Sequence, residues 1–320
     1  MAGAPDVVVG AGLSGLVAAH RLVAAGRAVV VLEAAGGPGG RMATVELDGA
    51  VLDVGAQFFT VRSSEFSELA ERWLQAGVAY EWCRGFGVPP DGHPRYTGRR
   101  GMATIPHHLA EGLDVRLGTE VRAVVPGRDG GWEVLSAAGN IDAAAVVLTP
   151  PVPQCRSLLA GAGLSTPLPD ISYDPTLGAL LVLDGPSGVP PPGGVQPGGG
   201  PLQFVADNHL KGISEVPAVT VHATGEWSRR HWELSDSEVL SGLVREARHW
   251  LGRAEPVRAG VVRWEWATPV DPSPHRCEVV HAGADGRQPF VLAGDAFAGP
   301  KVEGAALSGM AAAEAVLSAR

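Results

Sequence analysis

Lysine is almost absent from this chain of 320 residues, whose 25 basic side chains include only two lysines, Lys211 and Lys301. Neither follows a glycine, so the Gly-Lys-Ser/Thr segment of a P-loop is missing, and this excludes a Walker-type nucleotide hydrolase. Acidic residues number 34, which gives a net charge of −9. Such a charge argues against a nucleic-acid partner, because that binding depends on Lys and Arg neutralising phosphates.

Cysteine is also scarce, and its three residues, Cys83, Cys155 and Cys277, are far apart. An odd number of cysteines without a Cys-x-x-Cys pair excludes a disulfide framework and a thiolate zinc site. Of the ten histidines only His107 and His108 are close in sequence, and adjacent residues do not share one face of a helix or strand. We therefore expect no metal site.

Long hydrophobic runs are missing as well. No apolar stretch reaches the roughly 18 residues that a membrane span requires, and the apolar opening segment lacks the basic region of a signal peptide. The 45% of hydrophobic residues nevertheless suffice for a large core, and the length corresponds to about two domains. We expect a soluble, cytoplasmic protein without a membrane partner.

The first 33 residues predict a strand, a helix and a second strand. Residues 6–10 and 28–32 are short apolar runs, and residues 13–25 carry apolar side chains at helical spacing until Gly26. Continuously apolar strands are typical of a parallel sheet that is covered on both faces.

The sequence Gly-Ala-Gly-Leu-Ser-Gly begins at Gly10, between the first strand and the helix, where a dinucleotide-binding fingerprint belongs. Gly10 permits the tight turn, Gly12 lets a pyrophosphate approach the backbone, and Gly15 lets the helix pack closely on the strand. The pyrophosphate would rest at the helix N-terminus, beside Ser14. Glu33, at the end of the second strand, can accept hydrogen bonds from an adenosine ribose.

Periodicity and turn signals predict further elements along the chain. Helices are expected at residues 63–75, 235–251 and 303–317. Strands are expected at residues 121–125, 132–135, 145–148, 175–184, 202–206, 257–267 and 290–293. Residues 185–201 include thirteen Gly or Pro, which predicts a mobile hairpin tip without a packed core.

Four later segments resemble the FAD-binding pattern of the flavin amine oxidase superfamily. They are residues 39–42 (Gly-Gly-Arg-Met), 52–59 (Leu-Asp-Val-Gly-Ala-Gln-Phe-Phe), 294–295 (Gly-Asp) and 302–309 (Val-Glu-Gly-Ala-Ala-Leu-Ser-Gly). The resemblance implies FAD as the cofactor, with the fingerprint glycines at its ADP half. It places Gly40 and Arg41 beside the pyrophosphate and ribityl chain, and Gly294 with Asp295 at a ribityl hydroxyl.

The same resemblance implies the position of the flavin ring. Gly55 and Ala56 would pass beside the isoalloxazine. The last helix would point its N-terminus, at Val302, towards the flavin pyrimidine, where Gly304 and Ala305 leave room for the ring and the helix dipole stabilises negative charge. At the other end of the cofactor, the backbone of Val121 would meet the adenine.

The implied fold is an α/β, glutathione-reductase-like (Rossmann-type) FAD-binding fold with a second α+β substrate lobe. That lobe is expected to contain a mixed or antiparallel sheet. The FAD-binding lobe is expected at residues 1–60, 95–149 and 275–320, and the substrate lobe at residues 61–94 and 150–274. The oligomeric state is left open.

Within the superfamily the chain resembles the renalases, especially those of bacteria, at residues 39–42, 53–60, 148–153, 222–228 and 302–309. The resemblance implies an oxidase that takes hydride from 2- or 6-dihydronicotinamide isomers of NAD(P)H onto flavin N5. Its products are NAD(P)+ and, after reoxidation by O2, H2O2. The expected partners are therefore a small dihydronicotinamide substrate and O2.

This chemistry agrees with the lack of lysine. Loss of hydride from a dihydropyridine is driven by aromatisation and requires no general base, so shape, aromatic walls and a few hydrogen bonds suffice. An amine oxidase usually has a lysine near flavin N5. In the substrate lobe the one candidate is Lys211, which stands in a polar segment and is expected to be exposed.

Several side chains are candidates for the flavin or substrate face. Gln57 is a candidate amide partner for the flavin or for a carboxamide, and one of Phe58 and Phe59 is expected to be plain core. Trp264 and Trp266 lie two apart on one strand and share a face. They form either a substrate wall or ordinary sheet packing.

The remaining candidates are His222, Phe297, Lys301 and Glu303. His222 is interpreted as a structural histidine rather than a base, and Phe297 as a residue of the loop against the flavin. Lys301 is either a positive charge near the flavin pyrimidine or a solvated surface lysine. Glu303 either caps the start of its own helix or binds the flavin, and capping is the favoured interpretation.

Two other functions remain open from the sequence. A flavin amine or amino-acid oxidase would be reduced by amines in the absence of oxygen. A flavin-binding redox sensor without turnover would hold FAD that no small hydride donor reduces quickly.

Overall fold

The computed structural model describes residues 3–87, 89–128, 130–163, 168–280 and 290–319. Within this part, the chain folds around one parallel and one antiparallel sheet, with three smaller antiparallel units. The ends of the predicted FAD-binding lobe, at Met1 and Arg320, and its residues 281–289 lie outside the described residues.

The strands are numbered in chain order. They are β1 (Asp6–Val9), β2 (Val29–Leu32), β3 (Thr44–Leu47), β4 (Ala50–Asp53), β5 (Ala79–Cys83), β6 (Arg95–Gly98), β7 (Asp114–Arg116), β8 (Val121–Pro126), β9 (Trp132–Ser136), β10 (Gly139–Ala143), β11 (Ala145–Leu148), β12 (Tyr173–Leu183), β13 (Gly194–Val195), β14 (Leu202–Asp207), β15 (Ala218–Ala223), β16 (Pro256–Pro269), β17 (Glu278–Val280) and β18 (Phe290–Leu292).

The helices are α1 (Leu13–Ala24), α2 (Ser64–Gln75), α3 (Thr104–Ala110), α4 (Val152–Leu158), α5 (Gly225–His231), α6 (Asp236–Leu251) and α7 (Val302–Ser318), with a 3-10 turn at Gly40–Met42. Every strand and helix predicted from the sequence is present, with its ends within two residues of the predicted ones. None of the helices in the described part of the chain is long and apolar enough to cross a membrane.

The larger sheet has the strand order β17-β18-β11-β1-β2-β7, and its neighbours are parallel except for the β17–β18 pair. Val7 in the central strand pairs with Val30 on one side and Val146 on the other. All residues of β1, β2 and β11 are buried. Helices α1 and α7 pack on one face, whereas α4 and the β8-β9-β10 sheet pack on the other. The predicted parallel sheet is thus confirmed, with a small sheet covering part of one face.

The second sheet has the order β13-β14-β15-β12-β16 and is antiparallel throughout. Helix α6 packs on it through Val239 and Leu243. A capping box starts this helix, because the Ser235 hydroxyl accepts the Glu238 N–H and the Glu238 carboxylate accepts the Ser235 N–H. The antiparallel sheet expected in the substrate lobe is confirmed.

Two hairpins, β3–β4 and β5–β6, are absent from the predicted elements. In β3–β4 the turn is Asp48-Gly49, with φ of 50° and 78°, and an Asp-Gly pair between two short strands is a known hairpin signal. The inner strand, β4, packs its Leu52 against Leu180 of the second sheet. The hairpin therefore packs on the second sheet.

The Gly/Pro-rich segment 185–201 differs from the prediction. Val189 is buried in the core between α6 and the second sheet. The Gly188 N–H donates to the Trp250 carbonyl at 2.8 Å, and β13 adds an edge to the sheet. The prediction of a segment without a packed core is wrong. The Val189 side chain and a few backbone hydrogen bonds from residues that lie between the prolines anchor the segment.

A single glycine determines how closely α1 and α7 approach. A Cβ atom at Gly309 would overlap the Ser14 carbonyl oxygen of α1. The hydroxyl of Ser308, next to it, accepts the N–H of Gly294 at 2.9 Å. The contact therefore holds the N-terminal turn of α1 against α7 and the loop after β18.

We expect Gly309→Ala to lower the free energy of unfolding by about 2–3 kcal/mol, because the overlap outweighs the roughly 1 kcal/mol that alanine gains over glycine in a helix. Urea denaturation of the holoprotein measures this difference. Gly185→Ala is the control, since a Cβ atom there meets nothing within 4 Å. Equal stability of Gly309→Ala and the control would contradict the close contact.

Candidate functional site

The fingerprint glycines join β1 to α1 with three different geometries. Gly10 has φ of +100°, which L side chains rarely adopt. A Cβ atom at Gly15 would overlap the Gly10 carbonyl oxygen, whereas a Cβ atom at Gly12 would meet nothing within 4 Å. The turn is therefore tight at Gly10, closely packed at Gly15 and open to a ligand at Gly12.

Ser14 tests whether this turn fits a dinucleotide. Its Oγ atom is buried and has no hydrogen-bond partner within the described residues. A buried hydroxyl without a partner costs about 1–3 kcal/mol. Ser14 lies in the first turn of α1, where free N–H groups and the helix dipole favour a phosphate oxygen. The residues present therefore fit the pyrophosphate of a dinucleotide.

Glu33 is held beside the same turn. Its Oε2 atom accepts the Ala11 N–H at 2.7 Å, and its Oε1 atom accepts the Ala35 N–H at 2.8 Å. Each carboxylate oxygen keeps a further lone pair for a ribose hydroxyl. The Thr119 N–H donates to the Glu33 carbonyl at 2.8 Å. This hydrogen bond brings the backbone before Val121 next to the proposed ribose position.

The Gly-Gly-Arg segment lies directly against the fingerprint. Gly39 forms a bridge with Gly12, and its N–H donates to the Ala11 carbonyl at 2.9 Å. A Cβ atom at Gly40 would lie 3.7 Å from the Gly12 Cα. The segment therefore lies against the glycine turn at which the pyrophosphate is predicted to bind.

Arg41 connects three parts of the chain. Its guanidinium donates to both carboxylate oxygens of Asp295, at 2.8 and 2.6 Å. It also donates to the backbone carbonyls of Trp266 and Ala267 on β16, at 3.2 and 3.1 Å. Burial raises the pKa of Asp295, although the charge of Arg41 opposes the shift. The Gly-Gly-Arg segment, the late Gly-Asp and the second sheet thus meet at one side chain. The second sheet is here called the substrate sheet, after the lobe in which it was predicted.

Residues 54–57 (Val-Gly-Ala-Gln), here called the strap, follow β4. A Cβ atom at Gly55 would overlap the Arg41 carbonyl oxygen, and the Ala56 N–H donates to that oxygen at 2.8 Å. Gly55 and Ala56 are half-buried. The strap therefore lies against the Gly-Gly-Arg segment with part of its surface open, as a flavin-facing segment requires.

The expectation that Lys211 is exposed is wrong. The side chains of Lys211 and Asp53 are both 0% exposed, and Nζ lies 2.5 Å from the Asp53 Oδ2 atom. Nζ also lies 3.5 Å from the Gln57 Oε1 atom and 5.0 Å from the centre of the Trp82 ring. Burial lowers the pKa of Lys211, and the charge of Asp53 opposes this shift. The polar sequence around Lys211 was misleading because its neighbour Asn208 is itself buried.

Asp53 is the centre of a larger network. Its Oδ1 atom accepts the Thr44 hydroxyl at 2.5 Å and the Met102 N–H at 2.7 Å. Its backbone carbonyl accepts the Gln57 amide at 2.7 Å and the Thr220 hydroxyl at 3.0 Å. One residue therefore fixes the β3–β4 hairpin, the strap and the substrate sheet relative to one another.

The carbonyl of Val54 receives two further side chains of the substrate sheet. Trp264 donates its indole N–H at 2.9 Å, and the Nε2 atom of His222 lies 3.2 Å away. Burial lowers the pKa of His222 to about 4, so the imidazole is neutral at physiological pH and donates from Nε2. This geometry supports the interpretation of His222 as structural.

The amide of Gln57 is also used within the strap. It donates to the carbonyls of Asp53 and Gly55, at 2.7 and 3.1 Å, and its oxygen faces Lys211. Its predicted role as a partner of flavin or carboxamide stays a prediction.

The two phenylalanines after the strap have different surroundings. Phe59 is buried against Phe66 and Trp73, so the prediction that one of the pair is plain core is confirmed. Phe58 is half-buried and faces the substrate sheet, with its ring centre 5.8 Å from that of Phe204.

Phe297, expected in a loop against the flavin, is instead 1% exposed in the core below the parallel sheet, because its loop turns back on Gly294.

The start of α7 is formed by small residues and an exposed lysine. Lys301 is the N-cap residue, and its side chain makes no capping hydrogen bond. A Cβ atom at Gly304 would overlap the Gly299 carbonyl oxygen, so this glycine is required by the loop before the helix. Val302 and Ala305 are half-buried and leave part of the helix start open.

Glu303 corrects another expectation. Its carboxylate accepts the backbone N–H groups of Arg62 and Ser63, at 3.0 and 2.8 Å. It therefore holds the chain that enters α2 rather than capping its own helix. A carboxylate in the first turn of α7 could serve either helix, and sequence alone does not show which N–H groups lie nearer.

Asp53 and Trp82 are missing from the candidates named from the sequence. A signal for the pair with Lys211 was present, because a chain that uses arginine for nearly all its cations retains a lysine at this position. An aspartate directly before the strap was its natural partner. Their separation of 158 residues hid the contact.

The buried pair should behave differently from a surface pair. We expect Asp53→Asn and Lys211→Met each to lower the free energy of unfolding by about 3–5 kcal/mol, because each leaves an uncompensated buried charge. The double variant should lose less than the sum of the two. Glu314→Gln, in the exposed pair with Arg21, should change stability by under about 1 kcal/mol. Urea denaturation of the variants tests this, and additive losses would contradict a buried ion pair.

Comparisons with known proteins agree with this geometry. The model of the family "Flavin containing amine oxidoreductase" matches residues 87–317, and that of the "NAD(P)-binding Rossmann-like domain" matches residues 8–73. Putrescine oxidase of Kocuria rosea is 44% identical over 94 residues, 29% of this chain and 20% of that protein. Hydroxyneurosporene desaturase of Rubrivivax gelatinosus is 48% identical over 56 residues, 18% of this chain and 11% of that protein. These matches span a fifth or less of the relatives' lengths.

A solved structure of a putrescine oxidase shares the fold. A structure of wild-type putrescine oxidase bound to putrescine superposes with a TM-score of 0.72 at 19% identity, covering 98% of this chain and 99% of that chain. The predicted glutathione-reductase-like class, with a Rossmann-type cofactor lobe, is thereby confirmed. Since the first family model spans more than half of the residues, the chain belongs to the flavin-containing amine oxidoreductase family, whose cofactor is FAD.

Proposed function

We propose that this chain is an FAD-dependent oxidase of 2- and 6-dihydronicotinamide isomers of NAD(P)H. In the overall reaction the isomer, a proton and O2 give NAD(P)+ and H2O2. FAD, when bound, supplies a two-electron acceptor at its N5 atom and an electron donor to O2. The side chains of this site then have to bind and orient the ring, without removing a proton from it.

The observation that carries the proposal is the state of the two basic side chains at the strap. Lys211 is fully buried with its Nζ atom on Asp53, and His222 is bound to the Val54 carbonyl with its pKa lowered to about 4 by burial. Both side chains are bonded to other groups of the protein, so neither is available to accept a proton from the substrate. Hydride removal that yields an aromatic ring needs no such group.

Aromatic side chains supply the surfaces that a flat ring requires. Trp264 is fixed by its hydrogen bond to Val54, and Trp266 lies next to the Arg41 contact. Phe58 continues the strap on the side of the substrate sheet. Offset stacking on such walls contributes about 0.5–1.5 kcal/mol per pair and orients the ring. The resemblance to renalases at residues 53–60, which include Phe58, supports the same substrate.

Lys301 and the open start of α7 are the proposed neighbours of the flavin pyrimidine. The exposed ammonium and the positive end of the helix both favour negative charge there. Ser14, Glu33, Gly40, Asp295 and the Val121 backbone are the proposed holders of the remaining parts of FAD.

A second candidate is an amine oxidase. It is favoured by the family and by the similarity to putrescine oxidase. An amine must react in its neutral form, and neither the buried Lys211 nor the buried His222 is available to take a proton from a bound ammonium. A redox sensor that holds FAD without turnover is the third possibility left by the sequence.

Anaerobic rapid mixing of the yellow holoprotein separates these candidates. The reagents are NAD+ reduced with borohydride, which contains the 2-, 4- and 6-dihydro isomers, pure NADH, and putrescine. We expect the isomer mixture to bleach the flavin absorbance on the order of 10²-fold faster than NADH. Bleaching by putrescine alone would establish the amine oxidase instead. Absence of bleaching by all three would leave a flavin protein without this activity.

A further inference from the structure

Arg95 at the start of β6 is an unusual arginine in this protein. Its side chain is only 12% exposed, and its guanidinium donates to both carboxylate oxygens of Asp91, at 2.8 and 2.6 Å. The Nε atom is buried and has no hydrogen-bond partner within the described residues. A desolvated cation with an unused N–H group lowers the stability of the fold, which points to a role other than stability.

The guanidinium lies on an aromatic surface. Its Cζ atom is 6.0 Å from the centre of the Phe58 ring and 5.7 Å from that of Phe86. Phe86 contacts Trp82 at 5.0 Å between ring centres, and Trp82 is the ring above the Lys211 ammonium. The arginine and the buried ion pair thus lie on either side of one aromatic cluster.

This cluster lies on the substrate side of the strap. Phe59 and Tyr96 exchange two backbone hydrogen bonds of 2.8 Å, and their rings stack in the core of the cofactor lobe. Adjacent residues of an extended chain point to opposite sides. Phe58 and Arg95 therefore point away from that core, and Phe58 contacts Phe204 of the second sheet.

The sequence segment around Arg95 also carries an excess of positive charge. Residues 81–100 contain four arginines and two acidic residues, in a chain whose net charge is −9. The guanidinium of Arg99 lies 5.1 Å from the centre of the Tyr80 ring, so it belongs to the same side of the β5–β6 hairpin as that ring. A local excess of positive charge on an acidic protein attracts anionic ligands.

The Asp91 carboxylate can be displaced from Arg95 by another anion. Its side chain is 50% exposed, in contrast to that of Arg95. Hydrogen bonding to Arg95 lowers the pKa of Asp91, so it is a charged competitor at neutral pH. A carboxylate and a phosphate present similar pairs of oxygens to a guanidinium fork.

Building on the proposed function, we infer that Arg95 binds a phosphate group of an anionic nicotinamide nucleotide substrate, in exchange for Asp91. The ring of the substrate would lie at the strap and the aromatic walls. The phosphate would then distinguish a nucleotide from an uncharged dihydronicotinamide riboside and from a cationic amine.

The test compares two substrates and two variants of the holoenzyme. The substrates are borohydride-reduced NAD+ and borohydride-reduced nicotinamide riboside, which lacks phosphate. For Arg95→Gln we expect KM for the dinucleotide to rise at least about tenfold more than KM for the riboside. For Asp91→Asn we expect KM for the dinucleotide to fall, because the competitor for Arg95 is weakened. Asp114→Asn, in the exposed pair with Arg116, is the matched control and should change neither.

Opposite signs for Arg95→Gln and Asp91→Asn separate substrate binding from a purely structural ion pair. If both variants raise KM, or if Arg95→Gln affects the two substrates equally, the inference is overturned. Calorimetric binding of NAD+ gives a readout without turnover, with weaker binding for Arg95→Gln and tighter binding for Asp91→Asn. If the wild type oxidises neither substrate, the proposed function fails, and the calorimetric comparison alone decides whether Arg95 binds the nucleotide.

Discussion

The ion pair between Asp53 and Lys211 is the contact on which the site depends. Two opposite charges without solvent exposure must stay together, since separating them inside a protein costs several kcal/mol. Asp53 also accepts hydrogen bonds from Thr44, Met102 and the strap. The pair therefore fixes the strap, which is proposed to pass the flavin, to the sheet that would carry the substrate.

The same arrangement shapes the chemistry. Because Lys211 and His222 are used to hold the strap, the proposed site would offer aromatic walls and backbone carbonyls in place of a free base. The Arg41–Asp295 pair, which reaches β16 as well, provides a second connection between the cofactor loops and the substrate sheet. A site that is rigid and poor in proton acceptors suits hydride transfer from a ring that becomes aromatic.

Features that depend on residues close in the sequence could be predicted from it. The glycine turn, Glu33 and the buried strands around them depend on neighbours within about 30 residues, and their periodicity and composition are distinctive. Ser63 and Ser235 cap α2 and α6 in the structure, and a hydroxyl before an amphipathic run has a local partner of the kind that a sequence can indicate. The Asp48-Gly49 hairpin carried an equally local signal, which was overlooked.

Contacts between distant segments were not predictable in this way. The polar residues beside Lys211 indicated a surface, yet Asp207 and Asn208 are buried, and the partner of Lys211 lies far away in sequence. Val189 anchors a segment whose composition indicated only flexibility. The surroundings of Glu303 and Phe297 come from distant segments of the chain, so only packing determines them. Fold class followed from the sequence, whereas the hydrogen bonds that commit each side chain required the structure.

The central claim is that this site takes electrons from its substrate without a general base. The most direct measurement is the pH dependence of the anaerobic flavin reduction rate at saturating 2- and 6-dihydronicotinamide isomers. With His222 neutral above its pKa of about 4 and Lys211 bound to Asp53, the account predicts a rate that changes less than about twofold between about pH 6 and about pH 9. A rate that rises about tenfold per pH unit in that range would show a titrating base and contradict the account.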